Sequence, residues 1–252
     1  MKVTPVKTRI VEASSCRLDQ LLRESLSEIP ERSVIAITSK VVSLCEGNVV
    51  PLESGNKDEI IEGEAERFLP KSGNPYDVYL TIKHNLLVPS AGVDESNTNG
   101  YYVLWPEEPQ ESANRCWRFL KDEFQLRQIG VIITDSVSAP LRWGVTGRCI
   151  AYCGFKGLNN KIGESDLFGR KLRMTRVNVA DGLAAAAVLC MGESDEQTPL
   201  AVIEDLPFVE FVESPPTPDE LANLRIDLDD DLYGQLLRGV EWRSKRTKGL
   251  KP

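Results

Sequence analysis

The apolar positions change period along the chain. Residues 3–12 alternate apolar and polar, the repeat of a strand with one buried face. Leu18, Leu21, Leu22, Leu26 and Ile29 then recur at helical spacing, and Pro30 ends that helix. SVIAIT (33–38) reads as a short buried strand. SKVVSLCEGNVV follows, with Gly47 and Asn48 as a turn into a strand over 49–52. Residues 54–75 are polar and punctuated by Gly and Pro, around a short helix over 57–68. Residues 76–88 carry strand character, AGVDESN (91–97) forms a loop, and a strand over 101–105 is closed by Pro106. A helix spans 112–125 with Ser112 as its N-cap. IGVIIT (129–134) is a central strand with Asp135 at its carboxyl end. Residues 142–157 are Gly-punctuated and β. VNVADGLAAAAVLCM (177–191) is a helix that Gly192 stops. A late strand covers 200–204, ESPPTPDE (213–220) is a linker or extended loop, and the rest is mostly helical. Strands and helices mix without βαβ alternation, which predicts an α+β fold with mixed sheets.

Bulk properties narrow the function. The 252 residues allow one large domain or two modest ones. A net charge of −8 argues against a nucleic-acid or anionic-membrane surface. No apolar run approaches the roughly 20 residues of a bilayer span, and the N-terminal stretch has no apolar leader core. A cytoplasmic protein is expected. The six cysteines, Cys16, Cys45, Cys116, Cys149, Cys153 and Cys190, form no CxxC pair and read as reduced, small hydrophobes. A basic tail (Arg238, Arg243, Lys245, Arg246, Lys248, Lys251) follows an acidic run at 227–231 and reads as a solvated helix with a frayed end.

The single histidine, His84, lies in a strand-like run and reads as structural. Any metal must then be held by oxygen, which favours magnesium, manganese or calcium over zinc. Neither GxxxxGK[ST] nor a strand-borne GxGxxG is present. Two acidic sites stand out: Asp94 and Glu95 in AGVDESN, and Asp135-Ser136 after the central strand. Singly, each acid is better explained as a cap or an Asx turn. Brought together, they would repel unless a cation or proton lay between them. Glu193 alone is a solvated loop charge. Basic residues cluster from Arg142 through Arg148, Lys156, Lys161, Arg170, Lys171 and Arg173 to Arg176. They suggest either an anionic ligand or an ordinary mixed-charge surface.

In order along the chain, AITSKVVSLCEG (36–47), AGVDESN, GVIITDS (130–136), LRWGVTG (141–147), DLFGRKLRMT (166–175), VADGLAAAAVLCMGE (179–193) and PLAVIE (199–204) resemble the coenzyme F420-0:gamma-glutamyl ligases. The resemblance implies an intertwined homodimer with an unusual α+β fold. It implies a catalytic region over 1–212, of one or two subdomains, followed by a linker and helical, basic-ended tail over 213–252. The implied activity uses GTP (or ATP) and Mg2+ or Mn2+ to join L-glutamate to an acceptor carboxylate through an acyl phosphate. Catalytic roles fall on Asp94, Asp135 and Arg142. Metal positions are Asp94, Asp135, Ser136 and Glu193, and nucleotide positions are Ser39, Lys40 and Asn97. The sequence departs from the family at Leu44, where a lysine is usual, at residues 137–140, and at Gly182, where an acid is usual. F420-0 and a folate-like acceptor both remain open, as does a non-catalytic nucleotide- or metal-binding role.

Overall fold

The computed structural model describes residues 1–244. The first third runs β1 (Lys2–Val6), α1 (Leu18–Ser25), β2 (Ser33–Thr38), α2 (Ser39–Glu46), β3 (Val49–Pro51), α3 (Lys57–Glu64) and β4 (Arg67–Leu69). The middle adds β5 (Leu80–Lys83), β6 (Leu86–Pro89), β7 (Tyr101–Val103), α4 (Pro109–Glu123), β8 (Ile129–Ser138) and β9 (Val145–Cys153). The chain continues through β10 (Leu158–Asn160), β11 (Arg176–Asn178), α5 (Val179–Met191), β12 (Leu200–Glu204), α6 (Pro218–Leu224), α7 (Gly234–Arg238) and β13 (Arg243–Ser244). The α+β class is what the sequence led us to expect.

The main sheet has the order β1-β12-β2-β8-β9. Only β2 and β8 run parallel within it; the other neighbours are antiparallel. Alternate residues of β2 feed opposite cores, because successive strand side chains point to opposite faces. Ile35 and Ile37 pack with Leu22, Trp117 and Leu120 under α1 and α4. Val34 and Ala36 pack with Leu183, Ala184 and Ala187 under α5. This two-sided burial explains the unbroken apolar run of SVIAIT. On α5 the alanines permit a close approach: a Cβ on Gly147 of β9 would collide with the Ala184 carbonyl.

A smaller sheet, β13-β4-β5-β6, sits beside the β3–β7 pair. Its core holds Ile61, Phe68, Tyr79, Ala91, Val93 and Leu104. The stretch at 76–88, read as one strand-like run, is a hairpin. His84 and Asn85 form its two-residue loop at φ 48° and 62°, the backbone of a type I′ turn.

Other boundaries move for local reasons. The first strand ends at Val6, and the chain from 7 to 17 is loop. Residues 39–46, which the pattern assigned to no element, are helical. Ser39, Val41, Val42, Ser43 and Leu44 are all buried there, so no polar face marks the helix. Helix α4 starts with Pro109 in its first turn, so Ser112 is no cap. It lies inside the helix and donates to Glu46 Oε1 at 2.6 Å. Strand β8 runs on to Ser138, so Asp135 sits within it rather than at its end. Asn178 caps α5, and Gly192 ends it at φ 84°. The stretch read as a linker contains the start of α6, with a Thr217–Glu220 capping box. Past residue 205 the chain still contributes to the α5 core through Leu206, Val209 and Phe211. Of the basic tail, Lys245, Arg246, Lys248 and Lys251 lie outside the described residues. All six cysteines are free thiols, with Cys116, Cys149 and Cys153 buried.

The close α5–β9 contact generates a test. Gly147→Ala should lower stability by roughly 1–3 kcal/mol, as overpacking does, seen as a lower urea midpoint at unchanged slope.

Candidate active site

Thr38, the last residue of β2, pairs with Thr134 at the carboxyl end of the parallel ladder, and β8 continues past it to Ser138. That end of a parallel pair is where open sheets leave room for ligand. Here it opens into a cavity of about 800 Å³ whose lining includes Thr38, Lys40, Asp94, Asn97, Asp135 and Glu193. The β8–β9 ladder skips Ile150 just before Asp135. A bulge of this kind re-aims neighbouring side chains.

AGVDESN reaches the cavity through an unusual turn. Ser90, Ala91 and Gly92 are all left-handed, at φ 51°, 53° and 71°. Glycine is required at 92 because a Cβ would collide with the Trp105 indole nitrogen. The backbone of Asp94 then pairs both ways with Val103, at 3.0 and 2.8 Å. Its carboxylate meets Lys40 Nζ at 2.7 Å and accepts from the Ser96 backbone N–H at 2.8 Å. Burial pushes the Asp94 carboxyl up, but Lys40 and Ser96 outweigh it and hold the carboxyl below its ordinary value.

Asp135 is placed differently. Its Oδ2 accepts from Trp105 Nε1 at 2.5 Å. Burial, with a smaller push from the Asp94 charge, raises its pKa to about 6 against the opposing pull of the Trp105 and Ser136 N–H groups and the Lys40 charge. Beside it, Ser136 Oγ donates to Glu193 Oε1 at 2.6 Å. Asn97, at φ 55°, donates through Nδ2 to the Ser194 carbonyl at 2.9 Å. Separate chain segments thus bring Lys40, Asp94, Asn97, Asp135, Ser136 and Glu193 to one cavity.

Two of the expected residues are elsewhere. Ser39 is buried in the first turn of α2 and does not line the cavity. Arg142 lies exposed in the β8–β9 turn, away from the lining. The basic cluster does not converge on the acids: Arg148 pairs with Asp181, Lys156 with Glu210 and Lys161 with Glu164. The cations on the cavity wall are Arg9 and Lys40. Arg9 lies in the loop after β1, where the sequence matched no motif. Glu95 points away and pairs with Lys57 at 2.9 Å. Leu44 contributes an apolar part of the wall. His84 stacks on Trp105 and stays off the cavity.

The donors can be weighed against a divalent cation. They are oxygen atoms, the chemistry that hard cations take. Among the described residues no three His, Cys, Asp or Glu side chains already converge on one point. Asp94 is neutralised by Lys40 and Glu193 is bonded to Ser136, whereas Asp135 has an indole N–H and no cationic partner. Asp135 is therefore the group that a cation would relieve most.

Comparison with known proteins bears on this arrangement. The family model described as F420-0:gamma-glutamyl ligase matches residues 5–205. The chain belongs to the F420-0:gamma-glutamyl ligase family. All the residues lining the main cavity, from Thr8 to Pro199, fall inside the region the family model matches. Similar relatives include the coenzyme F420:L-glutamate ligase of Methanopyrus kandleri, 35% identical over 234 residues, which are 85% of this chain and 91% of the relative. That of Methanococcus maripaludis is 35% identical over 208 residues, covering 74% and 82%. That of Methanothermobacter thermautotrophicus is 34% identical over 205 residues, covering 74% and 80%.

The shifted acid makes a measurable prediction. Its folded pKa of about 6 exceeds the ordinary 3.8. Between those values the folded state holds more protons than the unfolded state, so stability falls as pH rises through this window. Without divalent ions, Asp135→Asn should be more stable than wild type at neutral pH by about 1–3 kcal/mol. The gap should close at a pH below about 4, where wild-type Asp135 is protonated in both states. Thermal unfolding in a chelator across pH checks both points.

Proposed function

We propose that this chain joins the amino group of L-glutamate to a carboxylate of coenzyme F420-0 in a nucleotide-driven reaction. The observation that carries the reading is the cavity where β2 and β8 pair, with Asp94, Asp135 and Glu193 on its wall. The relatives' name, coenzyme F420:L-glutamate ligase, points to the amino acid and the class of acceptor, and the family description points to F420-0.

The chemistry fits such a wall. A carboxylate does not condense with an amine in water. Transfer of the terminal phosphoryl group of GTP to the acceptor carboxylate gives an acyl phosphate and GDP. The glutamate nitrogen then attacks the acyl carbon, phosphate leaves, and the ammonium proton is lost to solvent. Little covalent work falls to the protein; charge and position matter most. Lys40 and Arg9 supply positive charge to the phosphates. The first turn of α2 opens at the cavity through Thr38 with no side-chain cap, which suits an anion. Asn97 holds the AGVDESN turn to the Ser194 backbone and faces the nucleotide. A magnesium or manganese ion held by Asp94, Asp135, Ser136 and Glu193 would neutralise phosphate charge in the cavity. Six free cysteines suit a reducing, cytoplasmic setting.

A homodimer belongs to the same proposal. Leu141, Trp143, Leu167 and Phe168 are 102%, 90%, 99% and 94% exposed. They lie on the β8–β9 turn and on the excursion between β10 and β11, and large apolar side chains left open in this way mark a contact surface. A second copy of the chain is the proposed occupant.

Incubation with L-glutamate, GTP or ATP, manganese and F420-0 should add one glutamyl unit to F420-0, read by mass spectrometry. Asp135→Asn should abolish that product while the protein stays folded. Addition to a folate instead would move the acceptor. Metal-dependent nucleotide binding with no product on either acceptor would overturn the ligase reading. In solution, light scattering should give twice the chain mass, and Trp143→Lys with Phe168→Lys should give the single chain. A wild-type monomer would remove the dimer.

A further inference from the structure

Trp105 is 1% exposed and does not line the cavity, yet its indole N–H donates to Asp135 Oδ2 at 2.5 Å. Five residues fix the ring. Gly92 abuts the nitrogen edge so closely that no Cβ fits. His84 stacks on the ring at 6.0 Å and 12°. The Lys83 ammonium, itself held to Glu64 at 2.6 Å, lies 5.7 Å from the ring centroid. Val88 and Val137 pack against it. The backbone is held as well, because Asn48 Nδ2 donates to the Trp105 carbonyl. A donor locked in this way favours one orientation of the Asp135 carboxylate. The same ring also dictates glycine in the turn that delivers Asp94.

We infer that Trp105 is a positioning residue: it fixes the Asp135 carboxylate toward the cation site and seats the Asp94 turn beside it. The inference rests on the proposed reading of Asp135 as a cation ligand. Partners that orient a ligand by hydrogen bonding typically change metal affinity or activity by about 10–100-fold when removed. The indole of Trp105 has that role without touching substrate.

The test uses Mn2+ binding, read from the free-ion paramagnetic resonance signal, alongside glutamyl transfer. Trp105→Phe keeps an aromatic ring and loses the N–H. Replacing Trp105 with the sulfur isostere 3-benzothienylalanine keeps the full shape and loses only the N–H. Both should weaken Mn2+ binding by about tenfold or more and slow transfer to a similar degree. Combined with Asp135→Asn, the isostere should add no further loss, because it leaves the ring that seats the Asp94 turn in place and acts only through that carboxylate. Isostere binding and turnover within about twofold of wild type, or a double variant with multiplied losses, would overturn the inference. Should Asp135→Asn impair binding while the isostere does not, the positioning role falls alone. Should Asp135→Asn bind Mn2+ like wild type, the cation-site reading falls, and the inference with it.

Discussion

The parallel pairing of β2 with β8 is the constraint on which the site depends. Every other neighbour pair in the main sheet is antiparallel. Only at this pair do two neighbouring strands leave the sheet in the same direction, with the end of β2 at Thr38 level with Thr134 of β8. One strand passes directly into α2 and Lys40; the other carries Asp135 and Ser136. A parallel pair is stable here because both faces are covered, by α1 and α4 on one side and α5 on the other. The rigid sheet thus sets the spacing of a cation and a carboxylate that lie nearly a hundred residues apart.

Around that frame the electrostatics are uneven. Asp94 has a lysine and stays readily ionised, whereas Asp135 is desolvated and raised to about 6. A fold built only for stability would pair or remove the second carboxylate. Keeping it ionised at neutral pH destabilises the protein, as charge placed for function often does. The excess negative charge matches a ligand that brings its own cations.

What the sequence disclosed follows from where each signal resides. β2 and β12 were legible residue for residue, since continuous apolar runs mark buried strands. The carboxylates at 94 and 135 were legible as acids beside ordered elements, Glu193 only through the family resemblance, and the structure brings all three to one cavity. Helix α2 was not, because it is buried on most sides and lacks an amphipathic stripe. Trp105 was not, because its role depends on two segments, around Gly92 and Asp135, that meet only in three dimensions. Arg142 follows Asp135 closely in sequence, yet the hairpin carries it outward into solvent.

If Asp135 takes part in the proposed divalent-cation site, the ion should bind and stabilise the folded protein, because this carboxylate has no cationic partner. Thermal unfolding with increasing Mn2+, at about pH 7.5 and again at about pH 5, tests it most directly, since a ligand bound only by the folded state raises its stability in a saturable way. The melting temperature should rise saturably at the higher pH and much less at the lower, where Asp135 is mostly protonated. No rise, or the same rise at both values, would contradict it.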